Sequence, residues 1–248
     1  MRGYEKDGVV EKIRAAGGEI YAVTSEPHTL AREAHTDWAT AFEHVGDPHQ
    51  EIAGTCADRG WISLFTAQWK SDLMREAQDW ISHPKGYYQP GVLVLSNAGR
   101  VLYRWRCRPT YSNTGGATAR PTPDYVWRQV EAALAEPADA EDAALDLDPE
   151  LDAKPTPWPL FALILLANGW FLWPRTFNYR KGQGGVSGRI RMAMIRLVLF
   201  VVAWIAAFFW LPTTAVALAF GAWLAIAVPG LRAIHQQFQT VDADEEPA

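Results

Sequence analysis

Cysteine is scarce: two in 248 residues, too few to staple a chain of this length, which excludes a small disulfide scaffold. No C-x-x-C pair occurs, so a dithiol redox motif is missing as well. Positive charge is not in excess either. The 23 Lys and Arg stand against 28 Asp and Glu, a net charge of −5, whereas a nucleic-acid binder carries a basic footprint. The six histidines (28, 35, 44, 49, 83 and 235) have no zinc-ligand spacing and neither cysteine lies near one at ligand spacing, so no metal or other cofactor is expected. There is no G-x-S-x-G, and the glycine loop "SNTGGATARP" lacks the Lys-Ser/Thr of a P-loop. The N-terminus is polar, without the apolar run of a secretory signal.

What is present divides in two. A hydrophobic share of 49% and a mean hydropathy of −0.12 suggest ordinary soluble domains, but the average conceals opposite halves. The 12 tryptophans split evenly between residues before 137 and residues after 157. Residues 136–152 carry eight acids and no base, so 137–157 reads as a solvated acidic linker. Residues 155–174 are uncharged, 175–196 hold six bases and no acid, and 197–231 hold no charge at all. Those last 35 residues would reach about 52 Å as one helix, against a hydrocarbon core of about 30 Å. Pro212 offers a turn, which predicts a transmembrane helical hairpin over 192–231, followed by an acidic tail over 232–248. The apolar segment 158–174 is marginal in length: it reads as an interfacial, re-entrant or transmembrane helix. The positive-inside rule puts the basic loop and Arg232 in the cytoplasm, and the soluble region 1–136 is expected there too. The lipid bilayer is thus the first expected partner.

Within 1–136, helix and strand signals alternate. "GYEKDGVVEKIRAAGG" places Val9, Ile13 and Ala16 on one helical face and stops at Gly17-Gly18. A buried strand is expected at 19–24. Ser25 then caps a helix with Leu30, Ala34 and Trp38 along one side. Asp47, Pro48 and Gln50 read as N-cap, first helical proline and capping-box glutamine of a helix running to about Arg59, with Gly60 as its stop. The stretch 61–86 is ambiguous, with a helical excursion expected near 73–81. "GVLVLSNAGRVLYRWRC" is an antiparallel hairpin turning at Asn97-Ala98-Gly99. Thr122 and Pro123 open a last helix that buries Val126, Val130 and Leu134. The pattern indicates an α/β sandwich.

Strand parity puts Val101, Tyr103, Trp105 and Cys107 on the inner face of the hairpin's second strand, with Arg100, Leu102, Arg104, Arg106 and Arg108 on the other. The arginine row faces anionic headgroups, the acidic linker or water. Cys107, between Arg106 and Arg108, fits a reactive thiol better than Cys56, which lies one turn after Ile52 and should face the core. Arg106 and Arg108 with Gly115 and Gly116 form a candidate anion site before the last helix.

The runs "IRAAGGEIYAVTSEP", "VGDPHQEIA", "HPKGYYQPGVLVLSNAGRVLYRWRCRP" and "GGATARPTPDYVW" resemble the peroxiredoxin-like AhpC/TSA branch of the thioredoxin superfamily, over about residues 4–135. The resemblance implies a thioredoxin-like fold, with Pro90 as the cis-proline beside the redox centre. It also implies thiolate chemistry that reduces peroxides or disulfides with a thiol electron donor. One departure is large. The sequence begins inside the helix that carries the family's catalytic cysteine, so that motif and the central strand before it are missing. The fold expected is therefore an incomplete thioredoxin-like sandwich, with the strands at 19–24 and 91–95 deprived of their shared neighbour, followed by a helical membrane region. Two expectations follow: a shortened copy of a membrane-anchored thiol oxidoreductase with an in-frame upstream segment, or a non-catalytic module that binds a protein partner at the membrane surface.

Overall fold

A computed structural model describes residues 2–67, 85–107, 120–152, 157–168 and 186–238. The expected helix near 73–81, Arg108, Gly115 and Gly116 lie outside these. The chain divides into two compact units, the first holding every strand described and the second three apolar helices.

The first unit is a mixed α/β body. Helix α1 (Arg2–Lys6) and helix α2 (Val9–Ala15) replace the single helix that the apolar spacing predicts. Gly8 separates them at φ 68, a conformation that costs other residues a clash at Cβ. Gly17, at φ 79, ends α2 as expected. Strand β1 (Tyr21–Thr24) pairs in parallel with β2 (Glu43–Gly46), joined by α3 (His28–Trp38). Ser25 does not cap α3; Pro27 holds that place with no side-chain hydrogen bond, because the helix starts two residues later than the serine can serve. Ala31 is the residue α3 buries, while Trp38 remains 40% exposed.

Helix α4 spans Glu51–Asp58. Asp47 does bond its first N–H groups, but from outside the helix, since Gln50 at φ 61 inserts a left-handed residue and is itself the N-cap. Short strands β3 (Thr66–Ala67) and β4 (Tyr87–Tyr88) pair antiparallel. β5 (Gly91–Leu95) and β6 (Val101–Arg106) form the expected hairpin, with Gly99 at φ 85 in its turn. Helix α5 (Pro123–Leu134) opens as expected: Thr122 Oγ1 accepts the N–H of Tyr125. Val126 and Val130 are buried, but Leu134, in the last position of the helix, is 48% exposed.

Among the described residues the six strands form three separate pairs, so β1 and β5 each lack a strand partner on their second edge. One core gathers Val9, Leu102, Tyr103, Trp105, Cys107, Val126, Trp127 and Val130; a smaller one gathers Val10, Ala22 and Phe42. Consecutive valines of α2 thus serve the two clusters, and Tyr4 packs against both. Strand β6 is buried on both faces, so period-2 alternation finds its inner residues but misses the burial of Leu102 and Arg106.

The described part of the acidic stretch, though mostly exposed, is bonded to the first unit. It lies along the outer edge of β6 and the start of α5. Ala143 N–H donates to Val101 C=O, Asp146 N–H to Arg104 C=O, and Thr122 N–H to Glu150 C=O. Asp142 accepts the Val101 N–H, Asp146 accepts the hydroxyls of Tyr103 and Tyr125, and Asp152 exchanges hydrogen bonds with Arg120. Asp142, Asp146 and Asp152 have specific donors, which composition does not register.

The second unit comprises α6 (Trp158–Asn168), α7 (Val186–Trp210) and α8 (Thr213–Phe238), the last two turning at Leu211-Pro212 as expected. Arg191–Trp210 and Thr213–Arg232 are long and apolar enough to cross a membrane. Trp204 meets Phe220 with ring centroids 4.8 Å apart, and Phe200 meets Trp223 at 6.4 Å. Many large apolar side chains face outward, Phe209 and Trp210 among them.

Candidate functional site

Both thiols and the proline singled out in the sequence lie in the first unit. Cys107 follows β6 directly, and its N–H donates to the C=O of Pro90 at 2.8 Å, so the hairpin register brings these two together. The Gln89–Pro90 bond is trans, in place of the expected cis bond. Cys107 is 1% exposed, and burial pushes its thiol up to about 12 against a small opposing pull from Arg120. At pH 7 the thiol is therefore held protonated, the reverse of what a thiol nucleophile needs. The flanking arginines signal activation in the sequence; the strand buries the sulfur among Trp105, Val126 and their neighbours instead.

Among the described arginines, Arg100 meets the acidic stretch at Glu136, while Arg104 and Arg106 turn to backbone carbonyls. Arg104 donates to the C=O groups of Gly60 and Trp61. Arg106 donates to Ser63 C=O, with its guanidinium over the Phe65 ring at 5.0 Å. Arg100 bonds Ala133 C=O at the end of α5 and stands 3.5 Å from Glu136. The row fastens the segment before β3 and the end of α5. Of the proposed anion site, only Arg106 falls within the described residues, and it is 9% exposed.

Cys56 is half-buried on α4, which presents Ile52 to solvent rather than to the core. Burial again raises its thiol, opposed by Arg59 and reinforced by the Asp47 carboxylate. Beside it lies a cluster that the sequence reading missed. Asp47, 4% exposed, accepts N–H groups from Glu51 at 2.7 Å and from Ile52 and Ala53 at 3.1 Å, and the Tyr88 hydroxyl at 2.5 Å. Tyr88 N–H donates to Ser25 Oγ at 3.3 Å. Burial, then the bond to Asp47, holds the Tyr88 hydroxyl neutral far above its ordinary range. Glu26, next to Ser25, has its carboxyl raised by burial. This cluster ties the ends of β1 and β2 to the strand before β5. The Asp47 carboxylate is fully engaged, so its chemistry is support rather than proton transfer.

Among the described residues no group of three His, Cys, Asp or Glu could hold a metal ion. No family model matches the chain, nor does any curated protein or solved structure.

Proposed function

We propose that this chain is a membrane-anchored, thioredoxin-like module of peroxiredoxin type that provides the scaffold of a thiol oxidoreductase without supplying its nucleophile. The observation that carries the reading is Cys107: beside Pro90 and nearly inaccessible, with a thiol raised to about 12. Burial raises the Cys56 thiol too. The thioredoxin-like arrangement is supported by the parallel β1–α3–β2 unit, the β5–β6 hairpin and the closing helix, with β1 and β5 each lacking a second strand partner among the described residues where a central strand would pair. The helices α7 and α8 supply the anchor, and the basic residues preceding and following them favour a cytoplasmic side for the loop between α6 and α7.

The strand edges of β1 and β5 that have no strand partner among the described residues favour a second reading, a non-catalytic module that binds a protein partner at the membrane surface. Full-length protein in liposomes, challenged with hydrogen peroxide and a sulfenic-acid probe, tests the first. The expected result is no peroxide consumption above liposomes and no probe at either cysteine. Labelling of Cys107 that disappears in Cys107→Ser would overturn the assignment and restore a lone-thiol enzyme.

A further inference from the structure

We propose that the end of the α7–α8 hairpin away from its turn binds anionic phospholipid, with Arg191, Arg196 and Arg232 taking the headgroup phosphates. The proposal rests on the reading of α7 and α8 as a membrane-crossing hairpin, and names the lipid that this anchor selects.

The three cations belong to one end. The ring pairs Phe200–Trp223 and Trp204–Phe220 align the two helices antiparallel about the turn at Pro212. Arg191 stands nine residues before Phe200 and Arg232 nine after Trp223, so both reach one level, where the apolar spans begin and end. Arg196 lies five residues further in, about 7.5 Å deeper. Its neighbours on the helix surface, Met192 and Leu199, are exposed, whereas Ala193 and Leu197 are buried. Arg196 therefore starts on the face turned away from the packing of the hairpin, at a depth where a charge is costly. Helical side chains lean towards the N-terminus, which on α7 is the end with Arg191. The apolar stem can follow that lean and carry the guanidinium up to the level of the other two.

Nothing in this part of the chain neutralises them. Between Asp152 and Asp242 there is no Asp or Glu, and among the described residues no salt bridge reaches any of the three. All three side chains are exposed. All are arginine, whose planar fork takes a phosphate through two hydrogen bonds. A zwitterionic headgroup brings its own cation beside the phosphate, whereas an anionic headgroup leaves its charge to the protein. The turn end is different: residues 197–231 carry no charge, and Thr213 and Thr214 supply hydroxyls only. Selection therefore belongs to the leaflet at the arginine end.

Electron spin resonance tests this, with full-length chain in phosphatidylcholine vesicles and a trace of spin-labelled phosphatidylglycerol or phosphatidylcholine. Lipid held at the protein gives a motionally restricted component whose size measures association. The expected result is a preference for phosphatidylglycerol, weakened about fivefold in Arg196→Gln, the effect of one cation near an anionic lipid surface, and largely kept in Arg196→Lys. Arg175→Gln, outside both helices, should weaken it less; equal weakening would overturn the site in favour of diffuse attraction to the basic loop. A restricted component with no headgroup preference would overturn the proposal and leave the hairpin standing. No restricted component for either lipid would overturn the hairpin itself. Loss of the preference when phosphate replaces chloride at equal ionic strength would show that free anion fills the site, and would refute the lipid assignment. So would a preference seen only in a chain ending at Phe238, since the acidic tail would then occupy the arginines.

Discussion

Replacing Asp146 with alanine should detach the acidic stretch from β6. One carboxylate oxygen accepts both the Tyr103 and Tyr125 hydroxyls, each at 2.9 Å, and the other accepts the Asp148 N–H at 3.2 Å. A hydrogen bond to a charged group contributes about 1.5–3 kcal/mol, and a buried donor left without a partner costs a similar amount. Tyr103 is 3% exposed and has no water to turn to, whereas Tyr125 is only partly buried and can be rehydrated. The expected loss is therefore about 3 kcal/mol, mostly from Tyr103. Urea denaturation of the detergent-solubilised full chain, followed by near-ultraviolet circular dichroism, would measure it. Proteolysis within residues 140–152 should accelerate in parallel. Adding Tyr103→Phe to Asp146→Ala removes the stranded hydroxyl, so the double variant should be more stable than the sum of the single losses predicts by about 1–2 kcal/mol. A loss below about 0.5 kcal/mol, or strict additivity, would refute the view that this carboxylate fastens the stretch.

Asp47→Ala should cost about 3 kcal/mol, combining a lost helix cap with a stranded Tyr88 hydroxyl, and the same denaturation measurement would show whether Tyr88→Phe relieves part of it. Gly46→Ala should destabilise by about 3 kcal/mol, because its Cβ would lie 2.4 Å from His28 N and 2.6 Å from Glu26 O, both backbone atoms; an unchanged melting temperature would contradict this. Stability should also fall in alkali. Cys107 and Tyr4 have folded pKa values raised to about 12, so the folded state holds protons that the unfolded state releases. Their contribution is complete below about pH 9 for the thiol and pH 10 for the phenol, and is lost as pH rises towards 12, at up to about 1.4 kcal/mol per pH unit for each group. Melting temperatures between pH 8 and pH 11 would reveal it, and Cys107→Ser should flatten the first part of the decline.

Features governed by local chemistry were legible in the sequence. Asn97-Ala98-Gly99 announced the hairpin turn, Thr122-Pro123 announced α5, and an uncharged run interrupted by Pro212 announced the pair α7–α8. Features that depend on distant donors were not. Asp142, Asp146, Glu150 and Asp152 look like solvated charge until Val101, the two tyrosines, Arg128 and Arg120 are placed opposite them. Asp47 was recognised as a capping residue, yet Tyr88, 41 positions away, could not be paired with it by spacing. At Cys107 the neighbouring arginines gave a misleading signal, since the Arg106 guanidinium is drawn to the Ser63 carbonyl and the strand faces the sulfur inward.

The acidic stretch along β6 also bears on how copies of this chain meet when confined to a two-dimensional surface. Unpaired strand edges are templates for adding another chain, and confinement raises the frequency of encounter. In the β5–β6 sheet one edge is shut by 143–146, while among the described residues the edge at β5 has no strand partner. A sheet with a single open edge can join one other at that edge and then has none left, so growth by this route stops at a pair and does not run on into a fibre.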